Sequence, residues 1–239
     1  MREGGKILHH VLYTVAAMVK PGISGLDLDR EAEKMIRAAG GVPSFKDYGS
    51  PPYPATLCVS VNEEVVHGIP LASQIFEEGD IVGLDIGMLY NGFHTDMAIT
   101  VGVGKVSKEA QRLMDVAQQS LRIIEENIAP GVDWQYISRL AQQHVEKHGF
   151  GMVRSLVGHG VGKDIHEEPQ LPNYVIKDYH LILKEGMVLA CEPMVTAGSY
   201  QVDVLDDEWT FATTDGSLSA HFENSIAVTS NGAEILTGE

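Results

Sequence analysis

Apolar residues recur along this chain at two periods. Leu8, Val11, Leu12, Val15 and Val19 repeat at the three-to-four spacing of one helix face. Arg2 and Lys6 ahead of the apolar run 11–19 give the segment some likeness to a short signal peptide. The helical spacing, and the repeat it belongs to, assign an amphipathic helix instead. Pro21-Gly22 breaks the pattern, a second helical pattern follows, and Gly40 stops it. The same order returns 109 residues later around Pro130-Gly131. Ile23 then maps to Val132, Leu28 to Ile137, Ala32 to Ala141, Ile36 to Val145 and Gly40 to Gly149, while upstream Leu12 maps to Leu121 and Val15 to Ile124. Residues 5–40 and 108–149 therefore each read as helix, Pro-Gly break, helix, Gly stop.

Period two takes over after each helical pair. Residues 56–66 alternate Leu57, Val59 and Val61 with Cys58, Ser60 and Asn62, which predicts a strand. Residues 80–90 and 93–101 flank Asn91-Gly92, a strong two-residue hairpin signal. Residues 186–195, 206–213 and 221–229 also read as strands. Glu78-Gly79 running into Asp85 matches Glu185-Gly186 running into Glu192, at an offset of 107. Together with the helical repeat this predicts an α+β fold with a pseudo-twofold repeat of helix pair plus antiparallel strands. No long linker interrupts it, so residues 1–239 are expected to form a single domain.

Composition narrows the function. Thirty-three acidic against 17 basic residues leave a net charge of −16, so nothing electrostatic favours nucleic acid or anionic lipid. No apolar run approaches the ~18 residues of a membrane span. Two cysteines, Cys58 and Cys191, are too few for a disulfide scaffold, and a reducing, cytoplasmic setting is expected.

The chemistry lies in carboxylates within apolar strands and in His-Gly segments. Asp85 sits in the apolar run 81–86, where a carboxylate is costly unless paired, hydrogen-bonded or bound to a cation. If Asn91-Gly92 is the hairpin loop, Tyr90 faces Phe93 and Asp96 faces Gly87, which shares Asp85's face. Asp85 and Asp96 are then diagonal neighbours, about 7–8 Å apart at the backbone, with Gly87 leaving room opposite Asp96. A one-residue slip would separate them. Further donors are Glu192 before Pro193, Glu223 between Phe222 and Asn224, His159 in 158–162, His166 opening 166–169 and His67 in 67–70. Asp, Asp, His, Glu and Glu make a hard, oxygen-rich set suited to Mn, Fe, Co or Zn pairs. The glycines around His159 predict a tight turn exposing the imidazole. The segment fails as a P-loop, because Asp164 follows Lys163, and as a dinucleotide fingerprint, because Lys163 takes the third glycine's place. Gln170 stands where a zincin helix needs its second His, and no Gly-x-Ser-x-Gly elbow occurs.

Over nearly its whole length, about residues 1–237, the chain resembles type 1 methionine aminopeptidases of the pita-bread fold. The matching segments are 61–70, Asp85 with Asp96, 158–162, 166–169, 192–194 and 223–224. The resemblance implies a hydrolase, an exopeptidase with two divalent ions (Co, Mn, Fe, Zn or Ni). Asp96, His159, Glu192 and Glu223 would hold one, and Asp85, Asp96 and Glu223 the other. His67 and His166 would face the substrate, Glu192 would also move a proton, and Tyr53, Cys58 and Trp209 would wall a methionine pocket. Implied partners are the N-termini of nascent peptides, near the ribosome, with the enzyme acting as a cytoplasmic monomer. The chain is expected to lack the extra N-terminal domain of prolidase-like relatives, the N-terminal extension of eukaryotic type 1 forms and the helical insert of type 2 forms. Gly87 stands where some relatives carry threonine. Rival readings are a proline-directed peptidase, opposed by 67–70 and the missing domain, and a non-catalytic pita-bread module, opposed by the complete ligand set.

Overall fold

A computed structural model describes residues 1–238; Glu239, the last residue of the expected domain, lies outside the described residues. The first helical pair is α1 (Arg2–Ala16) and α2 (Gly25–Ala38), followed by strands β1 (Val42–Pro43), β2 (Leu57–Val61), β3 (Glu64–Val66), β4 (Ile81–Tyr90) and β5 (Phe93–Gly102). The second pair is α3 (Lys108–Asn127) and α4 (Trp134–Lys147). Strands β6 (Gly151–Met152), β7 (Gly158–Gly160), β8 (Glu167–Leu171), β9 (Val188–Cys191) and β10 (Met194–Thr196) come next. Strands β11 (Val202–Val204), β12 (Phe211–Thr213), β13 (Ser219–His221), β14 (Glu223–Thr229) and β15 (Gly232–Ile235) complete the order.

The two halves repeat down to single hydrogen bonds. Gly22 and Gly131 turn at φ 88° and 86°, and the stop residues Gly40 and Gly149 both sit at 81°, left-handed conformations that a side chain would strain. Gly22 N–H donates to Phe76 O and Gly131 N–H to Leu183 O, both at offsets seen in the sequence. Ser24 caps α2 through a reciprocal bond with Asp27, and Asp133 caps α4 at the equivalent place.

One antiparallel sheet carries the fold, in the order β1-β4-β5-β14-β9-β7-β8, with β2 also on β4 and β15 on β14. Its strands alternate. Leu84, Ile86, Met97, Ile99, Leu189 and Cys191 pack with Leu8, Leu12, Leu28, Ile36, Leu113 and Ile137 of the helices in the main core. The intervening residues face away from the helices, and there a second cluster forms from Phe45, Tyr53, Cys58, Val161, Ile165 and Ala190. The Asn91-Gly92 turn has φ 50° and 78°, as a type I′ hairpin needs, and β4 and β5 take the expected register, with Gly87 opposite Asp96.

Four expected strands differ. The single strand 56–66 is two, split where Asn62 turns at φ 57°, and β3 pairs with β12 instead of β4. The strand 186–195 breaks at Glu192-Pro193, because proline cannot donate to the ladder, and β10 pairs with β13 and β6. The strand 221–229 breaks at Phe222, so β13 leaves the main sheet while β14 stays in it. Within 206–213 only β12 is extended; Asp207 instead accepts hydrogen bonds from Trp209 and Thr210 and closes a turn.

Equivalent caps should carry equivalent weight. Ser24→Ala and Asp133→Ala are each expected to lower stability by about 1 kcal/mol, read as a lower urea midpoint with unchanged slope. A change confined to one of the two caps would contradict the energetic equivalence of the repeats.

Candidate metal centre

The register lines up five donors across five neighbouring strands. Asp85 pairs with Ala98, which also pairs with Glu223. Asp96, two residues from Ala98, shares that face. Asn224 pairs with Cys191, which sets Glu223 beside Glu192, and Ala190, two before Glu192, pairs with His159. Asp85, Asp96, Glu223, Glu192 and His159 thus form a row on the face away from the helices. Ligand atoms of Asp96, His159 and Glu223 lie within 4.8 Å of one another. Ser225 locks the row's centre: its hydroxyl accepts from Asp96 N–H at 2.8 Å and donates to Asp96 O at 2.9 Å, which ties β14 to β5.

The four carboxyl groups are buried and poorly compensated. Glu223 is 2% exposed, and Asp85 Oδ1 and Glu223 Oε1 are buried with no hydrogen-bond partner. Burial pushes Asp85 up to about 7. Asp96 is raised well above the usual carboxylate range by burial and then by Asp85, and Glu223 by burial and then by Asp96 and Glu192. Glu192 is raised by burial, then by Asp85 and Asp96. Among the described residues no Lys or Arg enters the row, so the missing positive charge fits divalent cations. His159 fits the same use. Its Nδ1 donates to Gly160 O at 2.9 Å, which leaves the Nε2 lone pair free, 3.4 Å from Glu192 Oε1.

The glycines around His159 do not make the expected turn; Gly158 and Gly160 lie in β7. A Cβ on Gly158 would meet Ala190 O, and one on Gly160 would meet Glu168 O, so these glycines admit close backbone approach. Gly87 also departs from expectation. A Cβ there would lie 2.9 Å from both Phe45 Cε1 and Ser44 Cβ, so the space opposite Asp96 is filled by side chains of 44–45.

All ten residues singled out from the sequence line one cleft: Asp85, Asp96, His159, Glu192, Glu223, His67, His166, Tyr53, Cys58 and Trp209. Cys58, paired with Asp85, points into it as its place on the strand predicts. Tyr53 donates its hydroxyl to Gly68 O at 2.7 Å, and its ring meets Trp209 edge-on at 5.2 Å. His67 adopts φ 59°, stands edge-on to Trp209 and Phe211, and is pushed down to about 4 by burial, which keeps it neutral. His166 bonds through Nδ1 to Tyr48 Oη at 2.7 Å, with its ring 4.4 Å from that of His159.

Sequence reasoning missed three residues. Phe45 and Tyr48 reach the cleft from an irregular loop with no periodicity to mark them. His221 is 3% exposed beside Glu192 and Glu223, and its spacing of two from Glu223 was the available signal.

A row of buried carboxylates with one oriented imidazole, in an apolar-walled cleft, has the chemistry of a divalent-metal centre. The chain belongs to metallopeptidase family M24, whose model matches residues 1–230. Within that family it is similar over its whole length to methionine aminopeptidases. It is 48% identical to the methionine aminopeptidase of Clostridium perfringens, with 99% of this chain and 94% of that protein aligned. It is 46% identical to methionine aminopeptidase 1 of Bacillus subtilis, over the same shares. The crystal structure of methionine aminopeptidase from Thermotoga maritima is 42% identical and superposes with a TM-score of 0.96, covering 100% of this chain and 95% of that one. A Xaa-Pro dipeptidase from Bacillus anthracis, 22% identical, shares the fold at a TM-score of 0.77 over 59% of its own length. The fold is the expected pita-bread fold.

Raised carboxyl groups set a pH dependence for the metal-free protein. An ordinary Asp loses its proton near ~3.9, whereas Asp85 keeps it up to about 7. Between those values the folded chain holds a proton that the unfolded chain has lost, so stability falls as pH rises through that window. Buried histidines such as His67 and His166, pushed down to about 4, act in the opposite sense, so the test is a difference: the thermal midpoint of chelator-treated wild type minus that of Asp85→Asn should fall between about pH 4 and about pH 7. A difference that rises over that range would contradict this reading of the site.

Proposed function

We propose that this chain removes the initiator methionine from nascent polypeptides, preferring a small second residue, and that residues 1–239 form a single catalytic domain. What supports the reading most is the row of five donors beneath an apolar cleft, in a chain similar throughout to methionine aminopeptidases. Asp85, Asp96 and Glu223 would hold one divalent ion, and Asp96, His159, Glu192 and Glu223 would hold the other. The chemistry such ions (Co, Mn, Fe, Zn or Ni) would supply when bound is acidification of water and polarisation of the scissile carbonyl.

The chain's own residues do the rest. Tyr53, Cys58 and Trp209, joined by Phe45, wall a pocket for an unbranched apolar side chain. Glu192 takes the proton of the attacking water and passes it towards the leaving nitrogen. His166, oriented by Tyr48, donates a hydrogen bond to the carbonyl oxygen as charge develops there. His67, neutral and held by Trp209 and Phe211, contacts the leaving peptide nitrogen and narrows the next subsite. A nascent-chain substrate supports a cytoplasmic enzyme working near the ribosome, and we take it to act as a monomer. Among the described residues no helix is long and apolar enough to cross a membrane.

Two experiments test these roles. His166→Ala should lose ~10²–10³ in turnover while elemental analysis still finds metal, whereas His159→Ala should lose the metal; the reverse pattern would exchange their roles. On peptides, kcat/KM should rank Met-Ala-Ser well above Met-Lys-Ser and Leu-Ala-Ser, with Ala-Pro-Ser last. Preference for Ala-Pro-Ser would make the protein a proline-directed peptidase.

A further inference from the structure

His221 is a buried histidine with no role in the reaction described above, yet it touches two of its carboxylates. Its Nε2 lies 3.6 Å from Glu192 Oε2 and 3.8 Å from Glu223 Oε2, and has no hydrogen-bond partner of its own. The three ligand atoms of Glu192, His221 and Glu223 fall within 4.8 Å of one another. Glu192 is therefore flanked on both sides: Oε1 stands 3.4 Å from His159 Nε2, and Oε2 faces His221.

The backbone leaves His221 little freedom. Its N–H donates to Thr100 Oγ1 at 2.9 Å, and the same hydroxyl donates to its carbonyl at 2.9 Å. Thr100 lies on β5, four residues from Asp96 on the same face, so one strand carries both a site carboxylate and the clamp on His221. The break at Phe222 moves β13 to a second sheet, where His221 pairs with Met194. That displacement lets His221 approach the row from the side opposite His159.

We infer that His221 is a positioning residue, which donates its Nε2–H to Glu192 Oε2 and braces Glu223, so that Glu192 presents Oε1 alone beside His159. The inference rests on the metal reading proposed above. A histidine lining a metal's carboxylate ligands fixes their orientation and raises affinity without touching the ion, and removing such a partner typically weakens binding ~10–100-fold. Before the ion arrives, Nε2 is a buried polar atom without a partner, which costs the metal-free fold stability.

Calorimetric titration of metal-free protein with Mn(II), run on wild type, His221→Gln and His221→Leu, is the test. Wild-type binding is the control: if wild type binds no Mn(II), the metal reading itself fails. With wild-type binding present, His221→Leu should weaken it ~10–100-fold, while its metal-free thermal midpoint stays level or rises. His221→Gln, which keeps a donor, should bind close to wild type. Equal affinity of wild type and His221→Leu would overturn the inference, and so would His221→Gln binding as weakly as His221→Leu. Nitrogen-15 NMR of the Zn(II)-loaded wild type gives an answer without substitution. Protonated Nε2 on His221 supports the donor role, and loss of that proton on loading would overturn it by making His221 a ligand.

Discussion

Four carboxyl groups held away from water on one sheet face are the constraint around which this molecule is built. Each is pushed upward by burial, and for Asp96, Glu192 and Glu223 neighbouring carboxylates push further. Among the described residues no Lys or Arg lies among them to neutralise the row. Asp85 Oδ1 and Glu223 Oε1 find no hydrogen-bond partner among the described residues. A fold carrying such a cost needs either protons or cations, and an oxygen-rich set with one imidazole directs the choice to divalent metal.

The scaffold's task is to keep that row from relaxing. Helices bury only the other face of the sheet, so the strands are held from behind by Leu84, Ile86, Met97 and Ile99 against Leu8, Leu12 and Leu28. Cross-strand locks act in front. Ser225 joins β14 to β5, and Thr100 joins β5 to the backbone of His221. Close backbone packing at Gly158 and Gly160 brings His159 against Glu192. Each device works through the antiparallel ladder, which converts sequence spacing into fixed side-chain spacing.

The cleft above the row joins two chemistries. Its lining combines the apolar Phe45, Tyr53, Cys58 and Trp209 with His67, His166 and the carboxylates. An apolar wall selects side chains by size and shape, and only weakly between close homologues. Neutral imidazoles next to it provide donors without adding charge to the pocket. A Xaa-Pro dipeptidase that shares the pita-bread fold shows that fold alone does not settle substrate.

Local pattern in the sequence determined the helical pairs, the Pro-Gly breaks and the hairpin register. Helical periodicity, positive-φ glycines and the Asn91-Gly92 turn act over a few residues and leave a direct mark. Because register follows from the turn, the diagonal of Asp85 and Asp96 was legible too, and the motif segments pointed to the remaining donors. Tertiary structure alone decided which strands leave the main sheet. Proline at 193 and the irregular residue Phe222 mark the breaks, but their new partners, β6, β10 and β13, come together from distant parts of the chain. It also decided that Phe45 fills the space beside Gly87, that Tyr48 reaches His166, and that His221 stands behind Glu192. Those contacts join loops and sheets far apart in sequence, and no local periodicity encodes a meeting that depends on how whole layers pack.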